Sequence, residues 1–374
     1  MFDSLRNFAV FAVMLGGLIF FHELGHFLTA LYFKIKIKEF GIGFPPRLIG
    51  TARDKNGNRR WFFGKAPEDL DPDDTLLSLN WIPLGGFVRP AGEDDPAVPD
   101  GLANAPKRAR LSVLAAGPGA NFLLGFVLFT LSFLTGWPEP TGQVRIADVV
   151  PGAPAAQAGI LPDDIVLTVN GEAVSSENNR LSEIIHDSLG EPVALTLQRG
   201  DQTLNVTVVP RAEWPENQGP TGIVLDADWK LAGYSFPDAV ANGFARVLFQ
   251  IRETVMLPVR LIVGQIKPAE VDVVSLPGLK RYSDDAVSLA LRLRAWFPVL
   301  NLAGGISVAL ALTNLLPIPA LDGGRILFVL IEAVRRRRMD PLREGYVHMM
   351  GLFVLLALMA FLVINDLRRL SISP

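Results

Sequence analysis

The distribution of apolar residues constrains this chain more than any other feature. Runs near 7–33, 109–136, 297–331 and 346–364 are each long enough to cross about 30 Å of hydrocarbon. A chain that is 49% hydrophobic, with a mean hydropathy of +0.31, is too apolar for an ordinary soluble domain. Inside a bilayer every backbone amide needs an internal partner, so the four runs are expected to be helices. Between the second and third runs lies a polar stretch of about 160 residues, enough for a folded domain and further helices. The net charge of −3 leaves no dominant basic face, so no nucleic-acid partner is expected. With no cysteine in the sequence, disulfides and thiolate metal sites are excluded.

The first run carries His22-Glu23-Leu24-Gly25-His26. On a helix His22 and His26 are i,i+4 neighbours, so both imidazoles leave one face and can bind a single Zn²⁺. Glu23 beside them is placed to take a proton from water at the metal. An ionisable residue at mid-membrane costs about 2.5–3.5 kcal/mol on insertion scales, so three together call for a function. The bland reading is a pair of satisfied core histidines, but the chain has only four His in all and two stand here. The cluster reads as the zinc centre of a protease working within the membrane. The run is too long for a signal-peptide core and lacks a clear small-x-small exit, so an uncleaved helix is expected.

Lysine and arginine near the run ends set a topology. Lys34, Lys36 and Lys38 follow the first run, Lys107, Arg108 and Arg110 precede the second, and Arg335 to Arg338 follow the third. The 34–108 and 335–345 connections are therefore expected in the cytoplasm, with both termini and the 138–296 segment outside. Arg368 and Arg369 oppose this weakly. His22 stands about 18 Å from Lys34 at 1.5 Å per residue, which puts the metal near mid-membrane.

A catalytic zinc normally has three protein ligands and an open position. The best third ligand is Asp322, in Asn314-Leu-Leu-Pro-Ile-Pro-Ala-Leu-Asp322-Gly-Gly-Arg325. Pro317 and Pro319 break the helix there, and Gly323 and Gly324 permit a turn or close approach. Broken backbone at membrane depth is tolerated only where it lines a cavity or is buried in protein. The plainer alternative makes Asp322 a helix cap.

Together, H-E-x-G-H in the first run and N-x-x-P-x-P-x-L-D-G-G in a late one resemble the site-2 protease family of intramembrane metalloproteases. The nearest likeness is to the bacterial regulator-of-sigma-E type, and it covers nearly the whole chain. The resemblance implies zinc ligands His22, His26 and Asp322, with Glu23 as catalytic base. It also suggests that Asn314 orients substrate or stabilises the oxyanion; from the residues alone, Asn314 could merely satisfy carbonyls freed near Pro317. The implied reaction is hydrolysis of peptide bonds in transmembrane segments of single-span proteins, such as a membrane-bound anti-sigma factor or a remnant signal peptide. The implied location is the bacterial inner membrane.

Two glycine-rich apolar segments, 41–47 and 81–89, resemble the family's membrane-associated β-hairpin, whose edge could pair with an unwound substrate. An ordinary surface hairpin is the alternative. Gly117-Pro-Gly-Ala-Asn121, expected at the start of the second helix, reads as a small-residue packing site. Alternating strands at 144–150 and 165–169, an Asn170-Gly171 turn, and strands at 193–198 and 204–209 are similar to a bacterial PDZ domain. Asp163 stands where many relatives have Gly, and Asp tolerates the left-handed turn. From 213 to 296 the pattern is amphipathic helix with breaks at Pro258, Pro268 and Pro277, lying at the outer membrane surface or capping the PDZ domain. His186 and His348 stand alone and are assigned no metal, and Arg325 is given no role.

The fold class expected is a multi-pass α-helical membrane protein of four transmembrane helices, with an inserted β-rich PDZ domain and a membrane-associated β-hairpin loop. Its parts are helix one with the metal motif (1–33), a cytoplasmic loop with β segments (34–108), helix two (109–137) and the PDZ domain (138–212). Amphipathic helices (213–296), helix three (297–334), a cytoplasmic loop (335–345) and helix four with the C-terminus (346–374) complete it. Two rival classes remain. One is a PDZ-bearing membrane scaffold with a structural zinc site, against which an intact Glu23 weighs. The other is an ion or metal transporter, disfavoured by the lack of an inverted repeat and by the small number of other buried charges.

Overall fold

The computed structural model describes residues 2–93, 95–216, 218–267 and 274–372. Helix α1 (Phe2–Tyr32) leads into strands β1 (Ile37–Arg53), β2 (Arg59–Phe63) and β3 (Leu76–Pro90), then α2 (Lys107–Thr135). Next come β4 (Trp137–Val149), α3 (Pro154–Gln157), β5 (Ile165–Val169), β6 (Glu172–Ala173), α4 (Arg180–Asp187), β7 (Val193–Arg199), β8 (Gln202–Val208) and β9 (Ile223–Ala232). The chain continues through α5 (Phe236–Ile262), α6 (Leu276–Leu293), α7 (Phe297–Leu315), α8 (Asp322–Arg335) and α9 (Pro341–Ile372). Two compact units result: 136–233, and the residues on either side of that stretch.

In the helical unit α1, α2, α7 and residues 342–366 of α9 are long and apolar enough to cross a membrane. The third apolar run is two helices: α7 ends at Leu315, the Pro317/Pro319 segment is non-helical, and α8 starts at Asp322. Polar side chains between helices find backbone acceptors, as a dry interior demands. Ser132 Oγ donates to the Phe297 carbonyl (3.2 Å), and Ser307 Oγ to the Asn121 carbonyl (2.8 Å), stitching α2 to α7. Helix α5 joins the same core, where Val247 packs with the fully buried Phe129 and Val308. The helices expected within 213–296 thus belong to the helical unit. Pro258 does not break α5, which runs on to Ile262, because so close to a helix end few bonds lie beyond it. Pro277 sits in the first turn of α6, where a missing N–H costs nothing, and Pro268 lies outside the described residues.

Segments 41–47 and 81–89 do pair, Gly41 with Phe87 and Phe44 with Ile82, but within a three-stranded sheet of order β2-β1-β3. Strands β1 and β3 are both bent, so that Glu39–Ile42 pairs with 86–89 and also with 76–79. Strand β2 was not anticipated; it carries Trp61 and Phe63 exposed on one face.

The β-rich unit is a six-stranded antiparallel sheet of order β8-β7-β5-β4-β9, with β6 on β5. Its core is built from alternate residues such as Ile146, Val166, Val169, Leu195 and Leu197, covered by Leu181, Ile184 and Ile185 of α4. The Asn170-Gly171 turn is formed with both residues at positive φ, and Asp163 takes the left-handed conformation at φ 69°. The unit extends past the expected boundary of 212, because β9 pairs with β4 from Val149↔Ile223 to Trp137↔Ala232. Ile223 and Leu225 alternate into the core while Val224 and Asp226 face out, a period-two pattern lost beside the helical one that follows.

Candidate active site

On α1, His22 and His26 project from one face, and Asp322 opens α8 opposite them. His22 Nε2 and His26 Nε2 lie 3.1 Å apart, and each lies 3.2–3.3 Å from Asp322 Oδ2. These three form a group able to hold a metal ion among the described residues. Donors about 2.0–2.1 Å from a tetrahedral zinc stand roughly 3.3 Å apart, so the set fits zinc. As the first residue of α8, Asp322 makes no side-chain cap, which removes the capping alternative.

Helix α2 supplies the support behind the imidazoles. His26 Nδ1–H donates to the Val113 carbonyl (2.7 Å), leaving Nε2 unprotonated toward the other two donors. Asn121, with no exposed surface, reaches His22 Nδ1 at 3.3 Å through Nδ2, while its Oδ1 has no partner. Amide oxygen and nitrogen are assigned from the network; turned over, Asn121 Oδ1 accepts His22 Nδ1–H. Gly117-Pro-Gly-Ala-Asn121 therefore lies well inside α2, ten residues from its start, not at its beginning. A Cβ on Gly117 would collide with His26 Nε2 and His22 Cε1, and one on Gly25 with the Ala116 carbonyl. The two glycines let α1 and α2 approach until α2 can serve as the wall of the site. In the sequence this segment reads as packing alone; the one signal of a further role is an Asn among small residues in an apolar run.

Glu23 is held from the sheet. The Val88 amide of β3 donates to Glu23 Oε2 at 2.9 Å. His22, Glu23, His26, Asn314 and Asp322 share one cavity of about 300 Å³, with Val88 and Pro90 on its strand side. All five residues singled out in the sequence are thus brought together. Arg325, on the same cavity, is paired with Glu93 at 2.6 Å. A further buried pair, Arg110–Glu332 at 2.6 Å, fastens α2 to α8, so the helical unit buries more charge than the sequence reading allowed. His186 makes a bond to the Ser182 carbonyl of its own helix and has no part in the site.

Two imidazoles and a carboxylate converging among apolar helices, with a second carboxylate alongside, define a zinc-hydrolase type of site in a membrane protein. The model of peptidase family M50 matches residues 10–358, and the chain belongs to that family, the site-2 type of zinc metalloprotease. A protein of Agrobacterium fabrum that carries a zinc metalloprotease name is 30% identical, covering 96% of this chain and 95% of its own. Zinc metalloprotease RasP of Geobacillus kaustophilus is 26% identical over 99% of each chain. The regulator of sigma-W protease RasP of Bacillus subtilis is 25% identical, covering 96% of this chain and 98% of its own. A solved PDZ domain of an SdrC-like protein from Listeria monocytogenes covers 23% of this chain and 90% of that one, at 21% identity and a TM-score of 0.20. The chain is an integral membrane zinc protease by family and by its apolar helices.

Proposed function

We propose that this protease hydrolyses peptide bonds inside the bilayer, in transmembrane segments of single-span proteins such as a membrane-bound anti-sigma factor or a remnant signal peptide. One observation carries the reading: three ligand atoms converge within 3.1–3.3 Å among membrane-length helices, sharing a cavity with Glu23. His22, His26 and Asp322 hold the zinc. Bound there, zinc supplies Lewis acidity that polarises a scissile carbonyl and makes water a nucleophile near neutral pH.

The rest falls to the chain's own residues. Glu23 accepts the proton of the attacking water and delivers it to the leaving amine, its carboxylate aimed by the Val88 N–H. Asn314, at the end of α7, reaches the cavity from the side of the broken segment and orients the substrate carbonyl. A helical substrate hides its carbonyls in i→i−4 bonds and must be unwound first; an extended segment can then pair with strand β3. Helix-weakening residues such as Gly, Ser or Asn are therefore expected near the cut. The setting proposed is the bacterial inner membrane, with the 34–108 and 335–345 connections cytoplasmic and the PDZ-like unit outside. The name of the Bacillus subtilis relative, a regulator of a sigma factor, supports regulated proteolysis as the role.

The test is cleavage of a panel of tagged single-span substrates by the wild type and Glu23→Gln, with bound zinc quantified in both. Glu23→Gln is expected to keep its zinc and lose about 10²–10⁴-fold in rate, the usual contribution of a general acid–base. If both forms hold zinc and neither cuts a membrane segment, even one weakened with glycine, the scaffold reading takes its place.

A further inference from the structure

The segment that delivers Asp322 has an awkward backbone. Pro317 and Pro319 have no N–H to give. Leu316 N–H bonds to the Thr313 carbonyl, Ile318 N–H to Leu316 and Leu321 N–H to Ile318, all locally. That leaves Ala320, two residues before the carboxylate, in the left-handed conformation at φ 76°, which a residue with a Cβ rarely adopts. Such a conformation persists only where its surroundings over-determine it. Its N–H goes to another element: it donates to His348 Nδ1 of α9 at 2.9 Å.

Elsewhere α9 meets the start of α6, where Asp366 accepts from the Ser275 N–H and hydroxyl, but none of its most apolar 18-residue window is buried. Its sheltered positions include Glu344, His348, Gly351 and Leu355, one stripe at helical spacing. Gly351 lies so close to Pro319 that a Cβ there would collide with it. The His348 ring packs at 5.3 Å from Phe328 of α8, so the imidazole is fixed in the orientation that presents Nδ1 to the loop.

We propose that His348 is a positioning residue: by accepting the Ala320 N–H it holds the Pro317–Leu321 segment in the strained form that places Asp322 against His22 and His26. This rests on Asp322 being a zinc ligand. Loss of the acceptor leaves an amide unpaired in an apolar setting and lets Ala320 relax to negative φ, turning Asp322 away from the imidazoles.

The full-length protein in lipid nanodiscs tests this, with zinc affinity read by chelator competition and kcat and KM read separately on a tagged single-span substrate. His348→Phe keeps a ring against Phe328 and removes the acceptor, together with the Nε2 that lies 3.9 Å from Glu344. It is expected to weaken zinc binding about 10- to 100-fold, as outer partners of metal ligands do, and to lower kcat with KM unchanged. His348→Asn returns an acceptor oxygen near the Nδ1 position and is expected to restore zinc affinity. Ala320→Gly, free of left-handed strain, is expected to suppress the His348→Phe defect in the double variant. The proposal is overturned if His348→Phe binds zinc and turns over like the wild type. It is equally overturned if neither His348→Asn nor Ala320→Gly restores affinity, for then His348 only packs. Asp322→Asn separates the two levels. If it keeps wild-type zinc affinity, the ligand assignment falls and this inference with it; if it loses zinc while His348→Phe does not, only this inference falls.

Discussion

Asp322 in the helical unit and Asp164 in the β-rich unit are both withdrawn from water, yet they are answered in opposite ways. Asp164 accepts from Arg199 Nε and Nη2 at 2.6 Å each and from the Leu161 amide at 2.9 Å, so charge and lone pairs are satisfied within the chain. Asp322 faces two imidazole nitrogens, at least one of them left unprotonated by the bond its ring makes to Val113. Lone pairs brought to one spot repel one another unless a proton or a cation lies between them. A buried carboxylate whose partners close the account is holding a fold together; one whose partners share its own electron-rich character is waiting for something positive.

That contrast can be pushed hardest on α2. Gly117→Ala would drive a methyl group into the His22 and His26 rings, and zinc content and cleavage are expected to fall by at least about 100-fold. Gly119→Ala, two residues along, meets nothing within 4 Å and is expected to leave both untouched. Equal losses in the two variants would mean that the helix, not the site, was damaged.

Asn121→Leu should weaken zinc by about 10- to 100-fold, since it removes the acceptor that fixes the His22 tautomer, while Asn121→Asp should retain most of the affinity. Chelator competition on the purified protein reads both. If leucine binds zinc as well as asparagine does, the amide merely fills space.

The smallest effect concerns Asp164. Burial opposes its ionisation, but the Arg199 and Leu161 hydrogen bonds outweigh that and hold its carboxyl below the ordinary range. A depressed folded-state value means that its stabilisation is complete above the unfolded value, about 3.9, and is lost as pH falls through the lower folded one. Asp164→Asn is expected to cost the β-rich unit about 2 kcal/mol near neutral pH and to flatten its acid sensitivity below pH 4. Hydrogen exchange across 136–233 in the full chain measures this, and zinc content should not change. Zinc loss in Asp164→Asn would erase the distinction between the two carboxylates.

The grouping of the site's residues was legible in the sequence because it is written in local spacing. His22, Glu23 and His26 are separated by one helical turn, and Asp322 stands out as a charge beside prolines in an apolar run. What stayed hidden depends on which faces meet. Asn121 and Gly117 look like helix-packing residues until α1 lies across them, and His348 looks isolated until α9 reaches the loop before Asp322. Strand β9 was missed for a different reason. Its period-two pattern spans only ten residues and abuts a long amphipathic helix, while its pairing partner β4 lies some 80 residues upstream.

The three residues able to hold a metal are also far apart along the chain: two are made within the first 26 residues, and the third follows roughly 300 residues later. During synthesis, then, the imidazole pair, with Glu23 between them, is made long before Asp322 can join it. A chain that stops short of residue 322 has only two of the three donors, one fewer than a catalytic zinc normally takes from protein. On the zinc site proposed above, every truncated product that ends before residue 322 would lack the complete donor set.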